Sequence, residues 1–362
     1  MTETVLMIGT RKGLWLARSQ DRDSWQLTGP DDVMGEVHSV GFDRSGDNGL
    51  RLLMGSRHWH TGPQVMHSDD LGATWAAAPT GGVAFPEDTG ATVEAIWSLA
   101  ASAAEPGVVY AGTEPSALFR STDRGETFEL VRGLWDHPHR EQWGAGFGGQ
   151  AAHTVLPHPT DPSRISVAMS TGGYYRSSDG SGSWEPANKG IKAYFFPDPW
   201  PEFGQCVHKV DFNRARPDQL WAQNHHGVYR SDDAGSTWIS IAEGLPSDFG
   251  FPVVAHPRRP GAAYYFPLVA DSERLPPDGK ARVYRTVDEG ATWEALTEGL
   301  PQQDFYGAVL RDAMCADDSD TTGVYVGTRT GSVFASHDEG DSWAALARDL
   351  PDVLCVRAAT VG

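Results

Sequence analysis

Short stretches in which apolar and polar residues alternate follow one another along the chain, separated by turns rich in glycine and proline. Alternation with a period of two is the mark of a strand buried on one face. Residues 37–42, 50–55, 64–67 and 75–78 make one such quartet, which predicts strands A, B, C and D of a four-stranded unit. The same order returns at 165–169 followed by 174–176, and at 220–223 followed by 228–230.

Nearly the same octapeptide punctuates each unit. Its copies occupy 68–75, 121–128, 177–184, 231–238, 286–293 and 336–343, and a shortened copy occupies 19–25. The first full copy places Ser68, Asp70, Gly72, Thr74 and Trp75 at its fixed positions. From Trp25 the closing aromatics follow at intervals of 50, 53, 56, 54, 55 and 50 residues, about one propeller blade each. Seven units fill residues 1–362, so the sequence predicts an all-β fold, a seven-bladed β-propeller forming a single domain. In each copy the Asp carboxylate accepts backbone N–H groups in a tight turn, Gly supplies a positive φ, and Trp wedges between blades. The third copy has Ser181 where Gly is expected, flanked by Gly180 and Gly182, which predicts a slightly reshaped turn.

The two ends of the chain complement each other. Residues 5–8 read as a strand B and 13–16 as a strand C, with strand D after Trp25, so the first blade lacks a strand A. Residues 353–357 are left over and are expected to fill that gap, closing blade one and removing a free sheet edge.

The octapeptide resembles the Asp box, or BNR repeat, of sialidases, sortilin-type receptors, xyloglucanases and the photosystem II assembly factor, and the resemblance covers residues 1–362. It implies that the box is a structural turn and that any chemistry lies elsewhere. An arginine cluster at the mouth of such a propeller is similar to the sialidase triad that holds a sugar carboxylate. On that resemblance Tyr306 falls in the region of the sialidase nucleophile, with Glu94 or Glu114 as acid/base partner. The chain departs from sialidases in blade number, in lacking an Arg-Ile-Pro segment, and in carrying histidines where a glycosidase needs paired carboxylates. Only an anion pocket carries over, not the sialidase activity.

Charge narrows the partners. Lys+Arg 29 against Asp+Glu 48 gives a net charge of −19, which disfavours nucleic acid and anionic membrane. The first ten residues lack a basic segment and a long apolar segment, and no apolar run is long enough to span a bilayer, which predicts a cytoplasmic protein. Three scattered cysteines, Cys206, Cys315 and Cys355, argue against a disulfide framework and a Cys-x-x-Cys zinc motif.

Blade alignment selects the candidate site. His38, His153 and His208 each precede by twelve residues the strand B positions Leu50, Ile165 and Leu220, so the three share one place in blades two, four and five. Glu94 lies about one strand period from that place in blade three, and the ends of strand B add His58, His60, His225 and His226. Two readings stay open: His38, His153, His208 and Glu94 hold one divalent transition metal (zinc, iron, manganese or nickel), or the imidazoles are hydrogen-bonded plugs. Arg11, Arg57 and Arg329 follow the Gly-Thr or Gly-Ser that ends strand B in blades one, two and seven, with Glu114 at the matching place in blade three. They either converge on a carboxylate or phosphate, or pair with neighbouring blades. The long aromatic connections 134–143, including Trp143, and 193–203 form a rim for a small ligand or a protein partner. The insert 270–280 reads as a solvated flap.

Two functions follow. One is a hydrolase or lyase acting on a small anionic or carbohydrate-like substrate in a His/Arg pocket, with His38, Glu94, His153, His208 and Tyr306 catalytic. The other is a non-catalytic scaffold or assembly factor holding a protein partner on the aromatic rim.

Overall fold

The computed structural model describes residues 2–362 apart from Asp47, Asn48, Phe147, Gly148, Ala270 and Asp271, with Thr80 described through its backbone only. The start of the expected flap, Ala270 and Asp271, thus lies outside the described residues. Among the described residues the strands assemble into seven four-stranded sheets, the blades of a seven-bladed β-propeller. Blade two, for example, is built from Gly35–Gly46, Gly49–His58, Gly62–Ser68 and Ala76–Ala77, close to the quartet that the alternation predicts. No helix among the described residues is long and apolar enough to cross a membrane.

Blade one is closed by the C-terminal strand. Val353–Val361 pairs antiparallel with Glu3–Thr10, running from Glu3 opposite Val361 to Thr10 opposite Val353. The pairing continues four residues past the expected 353–357, and Ala359 is still buried there.

The octapeptide turns repeat one hydrogen-bond pattern. The Ser68 hydroxyl donates to Asp70 Oδ1 at 2.7 Å, and Asp70 accepts the Thr74 N–H at 2.8 Å and its hydroxyl at 2.6 Å. These bonds, that from Thr74 first, hold the Asp70 carboxyl at about 2, below the usual carboxylate range. The third copy corrects the expectation of a reshaped turn. Ser183 N–H and hydroxyl meet Asp179 at 2.9 and 2.6 Å, as in the other copies, and Ser181 itself takes φ 81°. Ser181 sits in the left-handed region that Gly occupies elsewhere, so side-chain bonding there outweighs the cost of a Cβ.

Two compact units are distinguished. One comprises residues 1–31, 188–201 and 208–362 and carries blades one, five, six and seven; the other comprises 32–187 and 202–207 and carries blades two, three and four. Within each, apolar faces of successive blades pack together. Leu53, Ile96, Leu99 and Phe119 join blades two and three, and Tyr110, Val155, Val167 and Tyr175 join blades three and four. In the larger unit Phe249, Tyr264, Val326 and Phe334 join blades six and seven, and Trp25 meets Tyr325 edge-on at 5.8 Å between blades one and seven.

Candidate functional site

The shared histidine position has a backbone cause. Pairing of strands A and B shifts register between Val37 and Ser39 in blade two, between Ile96 and Ser98 in blade three, and between Ala152 and Thr154 in blade four. The skipped residues are His38, Trp97 and His153. A bulge adds one residue to a strand and re-aims its side chain, which is why such positions recur beside binding sites. Blade three therefore does fill the position, with an indole: counting twelve back from Val109 reaches Trp97, the same spacing that finds His153 from Ile165.

The unit of blades two to four holds a cleft of about 530 Å³, lined by Glu36, Arg57, His58, Trp59, Gly62, Pro63, Val93 and Glu94. Strand register assembles half of it. Glu36 pairs with Arg57, and Arg57 with Pro63, so the three stand abreast on adjacent strands. Glu36 reaches His38, whose Nε2 lies 3.3 Å from Glu36 Oε2. The His38 ring packs at 4.9 Å on Trp97, and Trp97 Nε1 donates to Glu114 Oε2 at 2.9 Å. Glu94 enters from blade three, its N–H bonded to the Glu114 carbonyl at 2.8 Å, with its side chain exposed. His58 Nδ1 accepts the N–H groups of His60 and Thr61 at 3.2 and 3.3 Å, so Nε2 carries the proton and faces Asp32 Oδ1 at 3.8 Å. That lock on the 58–61 turn presents Trp59, 82% exposed, to solvent. Two carboxylates, one guanidinium and a bare indole make a site with acid/base groups and a flat apolar platform.

The unit of blades one, five, six and seven holds a different constellation. His208 is buried with Nδ1 2.6 Å from the Gly250 carbonyl oxygen, and its ring stacks on Phe251 at 4.9 Å. His225 meets it edge-on at 5.4 Å and packs on Phe249 at 5.2 Å. Burial first, then the nearby Arg311 guanidinium, hold the His208 imidazole well below its usual pKa, and it is neutral at pH 7. His226 adjoins His225 and carries Tyr194 and Phe195 against its ring at 5.1 and 5.4 Å. Tyr194, Phe195, Phe196 and Trp200 are exposed, so the 193–203 connection does form an aromatic surface.

The other expected residues are each taken in turn by their surroundings. Arg11 and Arg329 both approach Asp352, at 3.4 and 2.9 Å, and spend their charge on that carboxylate. Arg57 is the one of the three that lines the cleft. Trp143 is not a rim residue: it is buried and donates Nε1 to the Tyr175 hydroxyl at 3.0 Å. His153 is buried, with Nδ1 3.1 Å from Thr154 Oγ1. Tyr306 is 56% exposed and lies outside the strands. Glu114 accepts the Trp97 indole N–H. The proposed metal set of His38, His153, His208 and Glu94 is not assembled within either unit, since Glu94 lines the cleft, His38 meets Glu36 and Trp97, and His208 belongs to the phenylalanine-walled cluster. Glu36, Trp59 and Trp97 stand outside the expected site residues. A period-two scan from His38 reaches Glu36, and the spacing to strand B reaches Trp97; the exposure of Trp59 had no signal in the sequence.

No protein-family model matches the chain. Among curated proteins it is similar to a probable oligoxyloglucan-reducing end-specific xyloglucanase of Neosartorya fischeri, 26% identical over 213 residues, covering 54% of this chain and 24% of that protein. It is also similar to xyloglucanase Xgh74A of Acetivibrio thermocellus, 28% identical over 151 residues, covering 39% of this chain and 18% of that one. The chain thus spans a quarter or less of the length of these curated relatives. Among solved structures an ancestral GH74 enzyme matches with TM-score 0.60 and 17% identity over 86% of this chain and 38% of its own. YCF48 bound to D1 peptide matches with TM-score 0.55 and 13% identity over 87% of this chain and 83% of its own. At such identities the structural likeness speaks for the fold alone.

Proposed function

We propose that the cleft bordered by Glu36, Arg57, Trp59 and Glu94 binds a neutral oligosaccharide and hydrolyses a glycosidic bond. The observation that carries this reading is the meeting of two carboxylates with an 82% exposed tryptophan in one cleft. Glycoside hydrolysis needs one carboxyl group to protonate the leaving oxygen and a second to activate water or attack the sugar. Glu94, exposed in the cleft, is the water-activating or attacking group; Glu36, with His38 3.3 Å from its carboxylate, is the proton donor. Trp59 offers a face on which a pyranose ring stacks, and Arg57 donates to ring hydroxyls. Similarity to xyloglucanases supports a glucan as substrate.

The anionic substrate expected from three converging arginines gives way to a neutral one. Arg11 and Arg329 have Asp352 as their partner, and the cleft's two carboxylates outweigh Arg57. Release of reducing ends from a panel of xyloglucan and other β-glucan oligosaccharides tests the proposal. Turnover by the native chain, abolished in Glu94→Gln, supports it; a Glu94→Gln variant as fast as the native protein overturns it.

A second reading has its own observation. Tyr194, Phe195, Phe196 and Trp200 expose an apolar segment of a kind that binds extended peptides, and YCF48 is a fold neighbour with a bound peptide. A native protein inactive on every glycan, yet retaining a peptide through this segment, favours that reading.

A further inference from the structure

We propose that His208, His225 and Cys206 form a transition-metal site, selective for zinc and its first-row neighbours over magnesium and calcium. The ligand atoms of His208 and His225 lie within 4.8 Å of each other, and Cys206, joined to His208 through the single residue Val207, completes the group with its thiol. In extended chain, residues two apart return to the same face, so the thiol and the imidazole are delivered together.

The surroundings suit a ligand set. His208 Nδ1, 2.6 Å from the Gly250 carbonyl, is the protonated nitrogen, which leaves the Nε2 lone pair for the metal. A backbone carbonyl on the non-ligating nitrogen is the usual device that fixes the tautomer of a metal-bound histidine. Phe249 and Phe251 wall the two rings at 5.2 and 4.9 Å, an apolar shell that excludes competing water. One thiolate and two imidazoles, with no carboxylate among them, are soft and borderline donors; they match zinc, cobalt, nickel and copper and reject hard cations. Three protein ligands leave a tetrahedral ion one open position. The guanidinium carbons of Arg274 and Arg311 stand 5.5 and 6.0 Å from the centre of Phe251, so an anion is the favoured occupant of that position.

The full chain, untagged and stripped with a chelator, is to be titrated with zinc and with cobalt. Expected are one ion per chain and, with cobalt, a thiolate-to-metal charge-transfer band in the near ultraviolet. His225→Ala should weaken binding by at least about 100-fold, no less than loss of an outer-shell partner costs. Cys206→Ser should abolish the band. Alkylation gives a second readout, because Cys315 and Cys355 are buried and Cys206 alone is partly exposed. Burial also pushes the Cys315 thiol up to about 12. Zinc should protect Cys206 from alkylation in the native protein. If His225→Ala does not fold, as judged by its thermal melt, the cobalt spectra of the native and Cys206→Ser proteins decide alone. Absence of saturable binding, an unaltered affinity in folded His225→Ala, or a cobalt complex without the thiolate band overturns the site.

Discussion

Blades two and five carry almost the same tripeptide at the same place: Glu36-Val37-His38 in one, Cys206-Val207-His208 in the other. Their chemistry nevertheless diverges. In blade two the histidine leans on Trp97 and faces a carboxylate at the edge of an open cleft, with a bare indole nearby. In blade five the histidine is sealed between phenylalanine rings, its Nδ1 spent on a carbonyl, with the ligand atoms of His225 and Cys206 within 4.8 Å. A propeller blade thus fixes where a side chain is delivered, while the residue two places before it and the loops around it decide which chemical groups it meets there.

The comparison breaks first at the carboxylates. Glu94→Gln and Glu36→Gln should each lower glycoside turnover by about 10²–10⁴-fold while the thermal melt stays unchanged, because both groups lie at the cleft surface. Equal activity in both variants would leave the cleft without a catalytic distinction from the blade-five cluster. Next in size is the metal affinity: loss of about 100-fold in His225→Ala, set against no change in Glu94→Gln, separates the two regions by titration. A smaller effect is expected of Trp59→Ala, which should raise KM for an oligosaccharide by roughly two- to tenfold and leave kcat nearly intact, the range of one aromatic contact. A fall in kcat at constant KM would mean that Trp59 orders the reaction rather than the substrate.

The smallest effect belongs to neither region and serves as their common control. Asp70 and Asp179 have carboxyls held at about 2, chiefly by the Thr74 and Ser183 side chains. A folded-state value below the unfolded one stabilises the fold above the ordinary carboxylate value, and that contribution is lost as pH falls from about 4 through about 2. Asp70→Asn should therefore flatten part of the acid limb of the melting temperature and leave the neutral-pH activity and metal affinity of both sites alone. Melting curves from pH 2 to 7 check this.

Much of the fold was legible because its signals are local. The octapeptides mark one turn per blade, and the alternation between them gives strands whose pairing needs no long-range information except at blade one, whose missing strand the leftover residues 353–357 were expected to supply and do. The third turn was misjudged because Gly at one position was taken as obligatory, whereas the Ser177, Asp179 and Ser183 bonds suffice to hold Ser181 at positive φ. At the site, counting from strand B located His38, His153 and His208, but a search confined to histidine passed over Trp97 at the equivalent bulge. Spacing could not choose between convergence and pairing for the arginines, because it does not encode their acidic partner. Asp352, on the connection before the last strand, captures both Arg11 and Arg329. Glu36 and Cys206 were within reach of the same period-two logic that placed the strands.

The pairing of Glu3–Thr10 with Val353–Val361 sets a schedule for biosynthesis. The earlier of these two strands waits for a partner synthesised roughly 340 residues later, which at ribosomal speeds is a delay of about 20–70 s. During that interval Val5, Leu6, Met7 and Ile8, all fully enclosed in the finished protein, stand at an open sheet edge. A nascent chain stalled just after Leu350 should accordingly recruit chaperones through Glu3–Thr10, and release them only when Val353–Val361 arrives.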